Sequence, residues 1–510
     1  MLRDYELKKA SSYVDKIFIL LENTKNKYLL GQVNNNRGLI DYLKGDFCSA
    51  LKFLNKSLDF FRTIDNKGLI GSLISNIGLI HMLRGDFDLA LASFTQCLRI
   101  FEELGIQQNV AYHLDKLGNV YARRGDYNLA LVYFYKTLEI MKQLKVETSI
   151  AKTLFSIISV SIYDNDLDNA RQYLKQLQEL NKDTSIPKID LWARVAEALV
   201  LKSQENEQDI ERALGLLKQI AEKEKINIEI YGDVLLNICD ILLKQLQKTN
   251  QETYLKEIRK YLNLLYEMAS KQDSFWLIAQ ANWLLAYLAV IELDMIKAQH
   301  MFTQAQLLAE ERGFKKLAMN ISNEFDNMIK QSSDFKSISK KDLSLVERVE
   351  RSGFETIIKK IKQNIVDDAD LHAEKPVMLF ILNPKGIPIY HQIFLQEKSQ
   401  LNDNIIEEFI SVIKNLIYDI SKDKKPMQRI FHRELLVILK SFDDVNFCYV
   451  FDGHSYAAIE RLEIIISSLQ EQTSIFWNKI LVHSKKDQTL DKLTEQGIKQ
   501  FIDNLFTATN

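Results

Sequence analysis

The sequence predicts a mostly α-helical chain: a stack of helical hairpins (an α-solenoid), followed by a small α+β domain built on an antiparallel sheet. Three observations carry this. A short signature recurs every 40 residues, as GlyAspPhe at 45–47 and 85–87, GlyAspTyr at 125–127 and AsnAspLeu at 165–167. Glycine (17) and proline (5) are scarce among the 510 residues, so breakers are few, helices long and connections short. Four of the five prolines, Pro376, Pro384, Pro388 and Pro426, lie after residue 375, where strand-like apolar runs begin. The boundaries expected are 1–330 for the stack, with clear repeats over 27–180 and weaker ones over 190–330. Residues 331–375 read as a linker and connecting helix, and 376–510 as the sheet domain with closing helices.

Other positions recur in phase with the signature. Gly38, Gly78 and Gly118 precede it by seven residues, and Ala10, Ala50, Ala90, Ala130 and Ala170 follow at a fixed offset. Leu54, Phe94, Phe134 and Leu174 come four residues later. Each unit therefore reads as helix A, a tight turn and helix B. A glycine inside helix A costs about 1 kcal/mol relative to alanine, so its repetition implies a packing need: helix B approaches there and presents its alanine. Gly45, Gly85 and Gly125 stand where a left-handed C-cap belongs, with Asn165 in the same place in the fourth unit. Asp46, Asp86, Asp126 and Asp166 are expected to cap helix B. Lys44, Arg84 and Arg124 place a cation at the negative end of helix A.

These glycines, alanines and Leu/Phe positions resemble tetratricopeptide (TPR) repeats. The 40-residue period, with endings such as LRIFEELG and LEIMKQLK, is similar to the long-repeat subclass that includes spindle-polarity adaptors and kinesin light chains. The proline that usually closes helix B and the large aromatic early in helix A are absent. Weaker units follow around Ala213 and over 229–268. A clear one spans 284–313, where Ala286 and Ala298 repeat the offset of Gly38 and Ala50, and Phe302 and Ala305 follow in phase. A helix at about 315–330 is expected to cap the stack.

The resemblance implies a quasi-one-dimensional superhelix whose A helices line a groove for an extended peptide or a partner helix. Groove candidates are Gln32, Asn35, Asn36, Tyr42, Ser75, Asn76, Tyr112 and Asn119. Asparagine is a poor helix former, so its recurrence asks for a reason. Its amide both donates and accepts and suits a peptide backbone, as in related long-repeat adaptors. The plain alternative is a solvated face in an asparagine-rich chain.

Residues 331–342 break the periodicity, and one helix is expected near 343–363. PVMLFILN (376–383) and IPIYHQIF (387–394) form a hairpin around ProLysGly. An amphipathic helix spans 402–423, and MQRIF, ELLVILKSF and NFCYVFDG are three further strands. HSYAAIERLEIIISSLQEQ (454–472) is a helix, and more helix follows to about 506. The order β-β-α-β-β-β-α implies a five-stranded antiparallel sheet with helices on one face. LFILNPKGIPIYHQIF, and NFCYVFDG leading into SYAAIERL, resemble longin and roadblock domains, with profilin-like or PAS-like sheets as the nearest alternatives. Helical repeats followed by such a domain are similar to TPR proteins of Asgard archaea. That resemblance implies non-enzymatic adaptor work, docking a small GTPase or another longin or roadblock domain.

Net charge is −2 with an isoelectric point near 6.5, which gives no basic footprint for nucleic acid. Cys48, Cys97, Cys239 and Cys448 form no CxxC pair and sit near no histidine at metal spacing, so neither a disulfide scaffold nor a metal site is expected. Cys48 and Cys97 read as core. No P-loop, GxGxxG, HExxH or GxSxG motif appears, so no catalytic residues and no cofactor are expected. His81 and His113 fall near the groove as ordinary polar residues. AspGlyHisSer (452–455) reads as a turn with Asp452 or Ser455 capping the next helix. The N-terminus lacks signal-peptide character and no run spans a membrane, so a cytoplasmic chain is expected. Homodimerisation through a strand edge stays open, as does a ligand- or peptide-responsive sensor in place of an adaptor.

Overall fold

The computed structural model describes residues 2–508 apart from 22–23, 44–45, 205, 224–227, 272–273, 337–342, 364–373, 395–426, 433–434, 472–473 and 487. Gly45, Lys44 and the helix expected over 402–423 lie outside the described residues. Two compact units are present, Met1–Ala318 with Ile338–Asp367, and Met319–Ser337 with Asp368–Asn510.

In the first unit α1 (Leu2–Leu21) precedes seven antiparallel hairpins. They are α2 (Lys27–Leu43) with α3 (Phe47–Thr63), α4 (Lys67–Arg84) with α5 (Phe87–Glu103), and α6 (Gln107–Arg124) with α7 (Tyr127–Leu144). Next come α8 (Glu147–Tyr163) with α9 (Leu167–Asp183), and α10 (Pro187–Lys202) with α11 (Glu207–Lys223). Last are α12 (Ile228–Thr249) with α13 (Glu252–Lys271), and α14 (Phe275–Ile291) with α15 (Met295–Glu311). The even-numbered members are the A helices. α16 (Lys315–Lys336) follows and runs through the start of the expected linker.

The repeated glycines are sites of close approach. A Cβ on Gly38 would lie 2.8 Å from Leu54 Cγ, on Gly78 2.9 Å from Phe94 Cε1, and on Gly118 2.7 Å from Phe134 Cε1. Ala50, Ala90, Ala130 and Ala170 have no exposed surface. A second contact recurs two turns earlier in helix A: Ser57 Oγ donates to Gly31 O (2.7 Å), Cys97 Sγ to Gly71 O (3.2 Å) and Thr137 Oγ1 to Ala111 O (3.4 Å). Burial pushes the Cys97 thiol up to about 12, so it stays a protonated donor inside the core. Cys48, expected in the core, is exposed instead: in the first turn of α3 it is the neighbouring Phe47 that faces inward.

Gly85, Gly125 and Asn165 all take positive φ after an A helix. The aspartates that follow divide into two kinds. Asp46 and Asp166 accept from the backbone N–H of Ser49 and Asn169. Asp86 and Asp126 make no side-chain cap and turn to Arg84 (3.4 Å) and Arg124 (3.6 Å). There the carboxylate sits within ion-pair distance of the cation that ends helix A.

The stack is not strictly one-dimensional. Phe314, between α15 and α16, packs edge-on against Trp276 of α14 (5.1 Å) and against Phe47 of α3 (5.2 Å). Phe47 and Phe314 are both buried, so the last turn of the stack meets its first full hairpin. The one helix expected near 343–363 is two, α17 (Leu345–Ser352) and α18 (Phe354–Gln363), broken at Gly353 with φ 69°. Both belong to the first unit.

In the second unit β1 (Glu374–Leu382), β2 (Pro388–Ile393), β3 (Met427–His432), β4 (Leu435–Phe442) and β5 (Val445–Gly453) form one sheet in the order β2-β1-β5-β4-β3, all neighbours antiparallel. α19 (Ser455–Glu471), α20 (Ser474–Lys486) and α21 (Lys492–Ala508) follow. The closing helices pack on one face, as expected, and the other face is buried as well. Leu379, Ile381, Phe447 and Tyr449 pack with Leu462, Ile465, Ile480 and Ile498, while Met378, Phe380, Cys448 and Val450 form a separate core on the other side, as period-2 alternation requires. The start of α19 is capped from elsewhere: Asp326 of α16 accepts from Ser455 N–H (2.9 Å) and Ser455 Oγ (2.6 Å) and pairs with buried Arg429. Neither Asp452 nor Ser455 is therefore the cap.

The glycine contacts give a paired prediction for urea denaturation. Gly118→Ala should destabilise by about 1–3 kcal/mol through overpacking against Phe134. Gly215→Ala in α11, where a Cβ meets nothing within 4 Å, should stabilise by up to about 1 kcal/mol.

Candidate functional site on the A helices

Consecutive A helices touch through polar side chains. Tyr112 of α6 lies beside Ser75 of α4. Lys152 Nζ of α8 donates to Asp115 Oδ2 of α6 at 2.9 Å. Consecutive B helices meet separately, with Tyr135 of α7 stacked on Tyr173 of α9 (5.7 Å) and Lys142 donating to Gln176 (3.2 Å). Ser75, Tyr112, Asp115 and Lys152 thus form a polar ladder across three A helices.

Asp115 is its centre. It is 5% exposed, and while Oδ2 receives Lys152, Oδ1 is buried with no hydrogen-bond partner. A buried acceptor left unpaired costs roughly 1–3 kcal/mol, and a ligand N–H placed there would remove that cost. Asn35 Oδ1 on α2 is also buried without a partner. Asn35, Ser75 and Asp115 stand 40 residues apart, at one position of three successive repeats, so hydrogen-bonding oxygens recur along the A face. Burial pushes the Tyr112 hydroxyl above the usual phenol range, which keeps it a neutral donor. Lys116 lies over its ring at 4.9 Å.

The structure brings Ser75 and Tyr112 together and separates the other candidates. Gln32 Nε2 donates to Tyr28 Oη within α2 (3.3 Å). Asn119 turns back, its amide donating to Asp115 O at 2.6 Å, so one of its amide hydrogens is committed to its own helix. Asn36 is exposed and Asn76 half-buried. Tyr42 stacks on Phe47 at 5.9 Å, beside the closing contact of the stack. His113, expected near the groove, is buried against Phe101 (5.1 Å), with Nδ1 on Asn109 O at 2.7 Å. Asp115 and Lys152 escaped the sequence reading, which followed asparagines; the 40-residue step from Asn35 through Ser75 would have reached Asp115. Among the described residues no group of three or more His, Cys, Asp or Glu could hold a metal ion, and no helix is long and apolar enough to cross a membrane.

Glycines at the helix–helix contact, alanines opposite and A helices sharing one face define a TPR protein. The MalT-like TPR region family matches residues 8–322, more than half of the chain, and the chain belongs to that family. Among solved structures it is similar to the apo form of RapI (16% identity, 53% of this chain and 93% of that one, TM-score 0.42). It is also similar to a Rap protein complexed with competence and sporulation factor (16%, 71% and 95%, 0.42). The apo quorum sensor NprR from B. thuringiensis is a third likeness (16%, 60% and 84%, 0.41). No curated protein sequence matches the chain.

The ladder predicts a coupling measurable by urea denaturation. Lys152→Met should cost about 1–3 kcal/mol by leaving a buried carboxylate without its cation, less than a fully buried pair because Lys152 is 43% exposed. Asp115→Asn in the same chain should recover most of that loss, so that the double variant is less destabilised than the sum of the two single variants.

Proposed function

We propose that this chain is a non-enzymatic interaction protein that captures a peptide or partner helix on the A-helix face of α2, α4, α6 and α8. The observation that carries the reading is the buried, unpartnered Asp115 Oδ1 at the centre of a ladder shared by three helices. Membership of a TPR family supports it. A peptide backbone supplies N–H donors at the spacing of an extended chain, and Tyr112 and the recurring polar side chains supply the rest.

The second unit is proposed to dock another protein, such as a small GTPase or a longin or roadblock domain. The strand order β2-β1-β5-β4-β3 supports that resemblance, and β2 and β3 are the edges at which a partner strand or helix would add. An adaptor built this way joins two proteins and needs no reaction of its own. A ligand-responsive regulator is the second reading, favoured by the Phe47–Phe314 contact, which gives the first unit a closed state. Small-angle scattering of the full chain should then show a change in dimensions on adding ligand, and unchanged dimensions would count against it.

The test of the binding face is a selection from a displayed random-peptide library on the full chain. Peptides enriched on the wild type should bind the Asp115→Asn variant at least about tenfold more weakly, a difference near 1.4 kcal/mol, with the helical circular dichroism unchanged. Equal affinity for the variant would remove Asp115 from the site and the reading with it.

A further inference from the structure

The A-helix face changes character along the stack. In α6 it presents Asp115 and Asn119; the corresponding residues of α14, counted from Ala286 as those are from Gly118, are Trp283 and Tyr287. α14 is apolar all round, and Ala279–Ile291 are buried throughout. A helix of that kind needs cover on every side. Its A face is covered by α17 and α18. Phe354 stacks on Tyr287 (6.3 Å), and Arg348 Nη1 donates to Ile291 O, the last residue of α14, at 3.0 Å. Gln247 of α12 donates to Glu355 (3.3 Å), Asp240 of α12 accepts from Lys362 (3.0 Å), and Tyr163 of α8 reaches Lys362 O (3.5 Å). These partners, Tyr163, Asp240, Gln247, Tyr287 and Ile291, all lie on A helices.

We propose that the A face of α8–α14 is a second binding site, for an amphipathic helix ending in lysine, and that α17–α18 is its exchangeable occupant supplied by the chain itself. The site does not rest on the ladder around Asp115, which shares only α8 with it and has different chemistry.

Three features make the occupant ligand-like. First, its anchors have the spacing of a groove-bound helix: Phe354, Ile357, Ile358 and Ile361 are all buried and fall at i, i+3, i+4 and i+7, with Lys362 next. Second, α17 has 8 residues and α18 has 10, and isolated helices shorter than about 12–15 residues are marginal in water. Their helicity therefore depends on docking, and undocking returns conformational entropy to the chain. Third, the buried charge in the site does not depend on them. Asp240 pairs with Lys202 of α10 as well as Lys362, and Lys202 also donates to Asn237 at 2.9 Å. When the hairpin leaves, the buried carboxylate keeps Lys202, so no charge is stranded. Against burial, which raises it, the two lysines hold the Asp240 carboxyl well below the usual range; burial, with Lys362 adding to it, lowers Lys202. Lys362 is the second cation on Asp240, and its removal relieves Lys202.

A partner helix with the same apolar spacing and a terminal lysine would compete for this face and release α17–α18. The probe is a fluorescent synthetic peptide of residues 344–363. The full-length Phe354→Asp/Ile358→Asp variant, whose own hairpin cannot dock, should bind it at least about tenfold more tightly than wild type, because the internal competitor is gone. Equal or absent binding by a variant that keeps the wild-type helical signal would overturn the proposal. Native-state hydrogen exchange on the wild-type chain needs no variant. Amides of 345–363 should exchange through an opening that leaves α14 protected, whereas exchange of both only on global unfolding would show a fixed element and refute exchangeability. Loss of peptide binding on Asp115→Asn would bear on the other face alone, so the two readings fail separately.

Discussion

The close approach of each B helix to the glycine of its A helix is the contact on which the rest of the first unit depends. At Gly38, Gly78 and Gly118 a single methyl group would fall inside 3 Å of Leu54, Phe94 or Phe134. That distance sets how far apart the two layers stand and keeps the A helices in register. A second device acts beside it: Ser57, Cys97 and Thr137 each donate a hydrogen to a carbonyl in the second turn of the A helix. With packing and polar satisfaction both locked, the A-helix side chains are held on a rigid frame. Asp115 can then remain buried with one oxygen unpaired, because the helices around it cannot shift to bring a donor to it.

The same frame serves two chemistries. In the N-terminal half the A face carries Ser75, Tyr112, Asp115 and Lys152, with Asp115 and Lys152 joined across helices by an ion pair. In the C-terminal half Trp283 and Tyr287 replace the acceptors, and the apolar surface is covered by α17 and α18. Polar groups give direction and selectivity but modest net energy; apolar area gives energy without direction. A chain that holds both on one repeat scaffold can take an extended polar ligand at one place and an amphipathic helix at another.

Much of this was legible in the sequence, and the reasons differ by element. The 40-residue period gave the helix pairs, the glycine C-caps and the alanine contacts, because each is a local need repeated. All five strands were legible from short apolar runs bounded by turns, and the structure shifts their ends by at most about two residues, an ordinary uncertainty. What the sequence hid was long-range. Nothing local to Phe47 or Phe314 announces that they meet. Gly353 divides one amphipathic pattern into two helices, and only tertiary packing shows that they lie on A helices. Asp326 caps α19 from 129 residues away. The groove was read through its asparagines, yet Asn119 bonds its own helix and the unpartnered acid Asp115 went unnoticed, since burial cannot be read from residue type.

The most direct measurement of the central claim is a hydrogen-exchange footprint of the full chain with and without a peptide selected on it. Protection concentrated on α4, α6 and α8, with α5 and α7 unchanged, is the result the account predicts. Protection on the B helices, or on the sheet unit alone, would contradict it.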